Sequence, residues 1–326
     1  MSAPYRIDVH HHILPAEYVS TLARIGITGG GGIPFPSWSA DAALGLLDRY
    51  GIEAAVTSIS SPGVHFGDAA AARDLARRCN EISARLVSDH PTRFGAFATL
   101  PLPDVDGALR ELEYALDTLH LDGVVLLASQ QDGRVLGDPA FDALFAELDR
   151  RRAVVFVHPT IPKSSETIPI DVPGFAAEFT FDTSRAILNL IWSGTTERCP
   201  NLRLIFSHAG GTAPFLAWRW SLLDFLPGTH ERAPRGILHY LRSFFYDTAL
   251  SANPHALRSL CELVPATQIL FGTDFPFAPE PVTQFSVEGI AGYDGFDAAA
   301  RAAVERDNAL ALLPRLRERL RRTGDG

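Results

Sequence analysis

The chain has 326 residues, 46% hydrophobic and 21% charged, with a formal net charge of −9. That composition is ordinary for a soluble globular protein, and an acidic balance without a basic patch argues against nucleic acid as the main partner. No apolar run reaches the ~20 residues of a membrane span, and no secretory h-region opens the chain. Cys79, Cys199 and Cys261 are scattered and odd in number. They suit free thiols in a reducing cytoplasm better than a disulfide framework.

In chain order, the first β-rich run, 7–10, leads into His10-His11-His12. A long loop, 25–37, holds Gly29-Gly30-Gly31-Gly32 and precedes an amphipathic stretch, 40–50. A strand at 54–59 is followed by the loop 60–68 and a helical pattern over 69–90. Strands at 93–98 and 123–127 flank a helix over 106–119, and a helix over 141–151 leads to the strand 154–157. His158 ends that strand, and the Pro-rich loop 160–179 follows it. Strands at 204–207, 244–247 and 269–272 complete the set; His208 ends the first of these and Asp274 follows the last. Continuous apolar strands alternating with helices predict a (β/α)8 TIM barrel, with residues 1–326 as one domain. The Gly-rich phosphate turn of a doubly wound sheet is missing after the first strand. The long loops should rise on the catalytic face as lids or pocket walls.

Strand alternation aims His10 and His12 the same way and His11 the other. With His158, His208 and Asp274 also at strand ends, imidazole nitrogen and carboxylate oxygen converge where such a barrel keeps its active site. This donor set suits zinc or manganese. Asp8 shares parity with His10 and His12 and is expected either to orient one of them or to serve as a capping or salt-bridging carboxylate. A lysine-bridged two-metal centre is excluded, because Lys163 is the only lysine and the fourth strand ends in Ala128-Ser129.

Four motifs resemble the amidohydrolase superfamily: Asp8-Val9-His10-His11-His12-Ile13-Leu14-Pro15, Val157-His158-Pro159, Ser207-His208-Ala209-Gly210-Gly211 and Gly272-Thr273-Asp274-Phe275-Pro276-Phe277. They are most similar to the branch containing aminocarboxymuconate-semialdehyde decarboxylase and the aromatic acid decarboxylases. The stretch from Arg93-Phe94-Gly95 to Asp122-Gly123-Val124 is similar to the 6-methylsalicylate decarboxylase group. The resemblance implies one divalent metal ion on His10, His12, His158 and Asp274, with His208 as the active-site histidine beside it and no organic cofactor. It implies Phe277 as a pocket aromatic, and Arg219 as an arginine that reaches a carboxylate in a neighbouring subunit of a homodimer or higher oligomer. Ala43 stands where the semialdehyde decarboxylases carry a substrate arginine, so a less charged aromatic acid fits better. Trp38, Phe35, Phe66, Phe175 and Phe179 are candidate pocket walls, each with a place in the core as the alternative, and Arg185 is a candidate carboxylate partner or an ordinary helix-face arginine after an N-cap Asp182. The implied reaction is nonoxidative decarboxylation of a hydroxybenzoate, with Asp274 as the first candidate proton donor and His208 as the second. The alternatives are metal-dependent hydrolysis of a lactone, ester or amide, and a barrel that binds without catalysing.

Overall fold

The computed structural model describes residues 5–167 and 169–322. The strands are β1 (Arg6–His12), β2 (Gly29–Gly30), β3 (Ile33–Pro34), β4 (Ile52–Ser58), β5 (Phe94–Thr99), β6 (Gly123–Leu127), β7 (Val154–His158), β8 (Arg203–Phe206), β9 (Phe245–Asp247) and β10 (Ile269–Leu270). Eight pair in parallel in the order β1-β4-β5-β6-β7-β8-β9-β10. Backbone bonds bring the last strand back to the first: Val9 N–H donates to Phe271 O at 3.0 Å, and Asp274 N–H to His10 O at 2.8 Å. The result is the expected (β/α)8 barrel. Its strands are rich in Val, Ile and Phe because both faces are covered, by side chains within and helices without.

Polar side chains cap several helices as they leave the catalytic-face loops. Ser39 Oγ accepts from Ala42 N–H ahead of Ala40–Arg49, and Asp68 Oδ1 accepts from Ala70 and Ala71 N–H ahead of Ala69–Asp89. Each satisfies donors that the helix cannot. Inside the barrel, Ile7, Val9, Val56, Phe97, Phe156, Ile205 and Leu270 form an inner core. Leu312, Leu313 and Leu316 from the C-terminal helices pack into it at the strand-start end. Polar chemistry is thereby confined to the strand ends.

Two local features differ from the sequence expectation. The loop 25–37 folds a short antiparallel hairpin, β2–β3, at its glycine run. The helix expected over 106–119 runs as Val105–Glu113 and then a π-helical segment, Tyr114–Thr118. No helix among the described residues is long and apolar enough to cross a membrane.

Candidate metal centre

The centre begins with an irregularity in β1. Asp8 pairs with Ala55 and His11 with Thr57, so three residues of β1 advance against two of β4. Such a bulge inverts strand parity beyond it. His10 and His12 face the barrel axis, and Asp8 falls on the side of His11. Of the two roles expected for Asp8, the structure shows the capping and pairing carboxylate, not the one that orients an imidazole of His10 or His12. Asp8 Oδ2 accepts from Thr273 Oγ1–H at 2.6 Å and lies 3.1 Å from His11 Nδ1, while Oδ1 accepts from the backbone N–H of His10 and Thr273. It fastens β1 to the segment that carries Asp274.

The inward groups converge. His10 Nε2 lies 3.0 Å from His12 Nε2, and Asp274 Oδ1 is 3.2 Å from the first and 3.1 Å from the second. One donor atom each from His10, His158, His208 and Asp274 lies within 4.8 Å of every other, and all four residues are buried. His208 Nε2 is 3.5 Å from Asp274 Oδ2. The opposite ring nitrogens are engaged: His10 Nδ1–H donates to Asp247 Oδ2 at 2.7 Å, His158 Nδ1–H donates to Pro159 O at 2.7 Å, and His12 Nδ1 is 2.9 Å from Ser58 Oγ. Carboxylate and carbonyl oxygens only accept, so Nδ1 of His10 and of His158 carries a hydrogen and Nε2 is the nitrogen turned to the centre; in His158, which burial keeps neutral, Nε2 carries a lone pair. Imidazole Nε2 atoms facing a carboxylate oxygen that lacks a hydrogen-bond partner form a set of donors that fits a divalent cation.

Backbone conformation aims the remaining two groups. His208, Ala209, Gly210 and Gly211 have φ of 54°, 56°, 75° and 64°, a turn that lifts the His208 ring off the end of β8. Glycine is required at its close: a Cβ on Gly211 would meet Thr180 O at 2.2 Å. Asp274 also lies in left-handed space, at φ 65°. Non-glycine residues held there mark functional sites more often than ordinary loops.

Electrostatics follow from burial and crowding. Burial alone lowers His10, but the Asp247 and Asp274 carboxylates reverse this and carry it up to about 10. Burial lowers His12, and it holds His158 well below the ordinary histidine value, with the neighbouring imidazoles adding to the effect. Burial raises Asp274, yet the charge of His10 and the imidazoles of His10, His12 and His208 crowded against it hold it well below the usual carboxylate range.

Above the centre lies a cavity of about 190 Å³ into which His158 and Asp274 open. All three long loops wall it, through Gly30, Gly31 and Ile33, through Ser60 and Ser61, and through Phe175 and Phe179. Phe277 lines it too and stands edge-on to His12, with ring centroids 5.6 Å apart. Trp38, Phe35 and Phe66 are not among the lining residues; they pack against the outer core, which corrects their expected place as pocket walls. Arg185 is likewise misplaced by the sequence reading. In the helix Glu178–Trp192, Asp182, Thr183 and Ser184 turn inward and Arg185 turns to the surface, beside a separate groove with Lys163. Nor is Asp182 an N-cap: it lies a full turn inside that helix and accepts from Thr160 N–H at 2.9 Å. Arg219 is exposed on the helix Ala213–Ser221, outside this chain's own cavity.

Asp247 is the participant that sequence reasoning missed. Fully buried at the end of β9, it holds His10 Nδ1 and also accepts from the backbone N–H of His208 and Ala249, at 3.0 and 2.9 Å. One carboxylate thus ties together three of the strand ends. Its only sequence signal is its position: an acidic residue closing a predicted strand on the catalytic face.

Comparison with known proteins places the chain in a family and confirms its fold. The amidohydrolase family model matches residues 7–315. A 6-methylsalicylic acid decarboxylase from Aspergillus aculeatus is 37% identical over 324 residues, covering 96% of this chain and 97% of that protein. A 2-amino-3-carboxymuconate-6-semialdehyde decarboxylase from Dictyostelium discoideum is 28% identical, over 83% of this chain and 82% of its own length. Among solved structures, a dihydroxybenzoic acid decarboxylase from Polaromonas sp. JS666, with bound manganese and the inhibitor 2-nitroresorcinol, superposes with a TM-score of 0.82. It is 24% identical and covers 96% of this chain and 97% of that one, a likeness of fold.

Proposed function

The chain belongs to the amidohydrolase family, in the branch that holds the aromatic acid and semialdehyde decarboxylases, and from that premise we propose that it is a metal-dependent decarboxylase of a hydroxybenzoate of the 6-methylsalicylate type. The observation that carries the reading is the convergence of His10, His158, His208 and Asp274, with His12 Nε2 3.0 Å from His10 Nε2 and 3.1 Å from Asp274 Oδ1, at the floor of an apolar cavity with room for one substituted ring. We assign one divalent ion, zinc or manganese, to His10, His12, His158 and Asp274. Bound there, it supplies positive charge to the substrate's carboxylate and the adjacent phenolic oxygen.

The chain's own groups do the rest. Phe277, Phe175 and Phe179 exclude water and hold the ring against the floor. Asp274 gives a proton to the ring carbon that bears the carboxylate, forming a C–H bond at the expense of aromaticity. The C–C bond then breaks, its electron pair returns to the ring, and carbon dioxide leaves. No electrons are exchanged with an outside partner, so no organic cofactor enters. Asp274 is held ionised and must receive a proton before it can give one. His208 Nε2, 3.5 Å from Oδ2, is the neighbour placed to provide it, and is the alternative direct donor.

Among the described residues, this chain lines the cavity with no arginine or lysine of its own, so a substrate with a single carboxylate, met by the ion and a partner copy's arginine, fits it best. The working unit is a homodimer or higher oligomer in the cytoplasm. Free Cys79, Cys199 and Cys261 suit that compartment. Arg219 sits beside an exposed apolar row, with Trp218 73% and Phe215 83% exposed, which a second copy would cover while Arg219 reaches its pocket.

The test is incubation of metal-loaded protein with 6-methylsalicylate. Equal amounts of carbon dioxide and 3-methylphenol are expected. Inert salicylates together with ring-opened lactones would transfer the site to hydrolysis.

A further inference from the structure

Leu250 sits where the backbone favours another residue. After β9 the chain turns at residues 248–251, with Ser251 N–H donating to Thr248 O at 3.0 Å. Leu250 is the third residue of that turn and has φ 54°. A positive φ at that position suits glycine or asparagine, and a branched side chain is strained there. No core contact explains the strain, because Ala249 and Ser251 on either side are buried while Leu250 is 44% exposed.

Its side chain instead lines the cavity, with Ile33, Phe179 and Val282. The turn is tied to the centre from beneath. Ala249 N–H donates to Asp247 Oδ1 at 2.9 Å, and Gly272 N–H donates to Thr248 Oγ1 at 3.2 Å. Asp247 also holds His10, so Leu250 stands at a fixed place relative to the metal-binding groups. Of the two lining serines, Ser61 is already engaged: its Oγ is paired with Thr160 Oγ1 at 2.9 Å.

We propose that Leu250 is a specificity-determining residue, whose side chain receives an alkyl substituent on the ring and so favours an alkylated hydroxybenzoate over the bare or further hydroxylated acid. The inference rests on reading the cavity as a hydroxybenzoate site, but it concerns binding and does not need turnover. The experiment is calorimetric titration of the manganese-loaded protein with 6-methylsalicylate, salicylate and 2,6-dihydroxybenzoate. Wild type is expected to bind the methylated acid best. Leu250→Ala should reduce that preference about tenfold, the scale of a lost hydrocarbon contact in an apolar pocket, and Leu250→Met should keep it. Leu250→Gly should lose the preference with no fall in melting temperature, since glycine relieves the turn. A wild type that binds the acids alike, or binds none, overturns the proposal. So does a Leu250→Ala variant with its preference intact, or a Leu250→Gly variant that loses preference only together with melting temperature. Preferential binding without release of carbon dioxide sinks the decarboxylase reading and upholds this one.

Discussion

The two ends of the barrel handle buried charge in opposite ways. At the strand-start end each buried carboxylate has a guanidinium: Arg6 Nε meets Glu305 Oε1 at 2.8 Å, and Arg319 Nη2 meets Asp122 Oδ2 at 2.9 Å. Leucines of the C-terminal helices fill the space between. At the strand-finish end, imidazoles crowd one carboxylate, and His208 Nδ1 and Asp274 Oδ1 are buried without hydrogen-bond partners. Four of the six non-glycine residues with positive φ among the described residues, His208, Ala209, Leu250 and Asp274, also lie there. The contrast teaches that satisfied pairing holds the fold at one end, while strain and unpaired donors are tolerated at the other because they serve a ligand.

Substitutions at the two ends should therefore fail differently. The largest effect is expected from Asp274→Asn and His10→Ala, which should lower decarboxylation by on the order of 10³-fold and abolish metal retention. Circular dichroism should remain that of wild type; unfolding of both variants would make these residues structural instead. Leu316→Ala, at the other end, should do the reverse. Removing this fully buried leucine should cost about 2–5 kcal/mol of stability in chemical denaturation. Its metal content should be unchanged, and loss of metal there would erase the distinction between the ends.

Asp247→Asn comes next. A carboxylate that orients a ligating histidine typically contributes about 10–100-fold in metal affinity. Competition with a chelating dye should show a weakening in that range, with little change in melting temperature of the metal-free protein. An unaltered affinity would reduce Asp247 to a packing role.

Per pH unit, the smallest effect is a pH dependence. His10, raised to about 10, holds a proton at neutral pH in the absence of metal. Its folded value lies above its unfolded value. The stability it contributes is complete below about pH 6.5 and is lost as pH rises through about 10. A metal ion must displace that proton. Binding between those pH values should release about one proton per ion, and affinity should rise by up to about tenfold per pH unit. Titrations in two buffers of different ionisation enthalpy read this directly, and an absence of proton release would contradict the assignment of His10.

Strand-end histidines were legible in the sequence because alternation and apolar runs are local signals. His10 and His12 share a face, and His158 and His208 each close an apolar run. The facing of Asp8 was not legible, because a single extra residue in β1 inverts parity and nothing in Ile7-Asp8-Val9-His10 marks a bulge. Arg185 and Trp38 stayed ambiguous for a related reason: a chemically suitable side chain on a helix or loop can point either way, and packing decides. Asp247 lay at the end of a strand the sequence did predict, but its role depends on a contact 237 residues away in the chain. The π-helical segment Tyr114–Thr118 has the same apolar spacing as a helix and leaves no separate trace.

The central claim is that three imidazoles and one aspartate form a seat for a single ion. The most direct measurement is metal content after equilibration with manganese or zinc and exhaustive dialysis, on wild type and His10→Ala side by side. The account predicts one ion per wild-type chain and none in the variant. A wild-type chain that retains no ion, or a variant that retains it equally well, would contradict it.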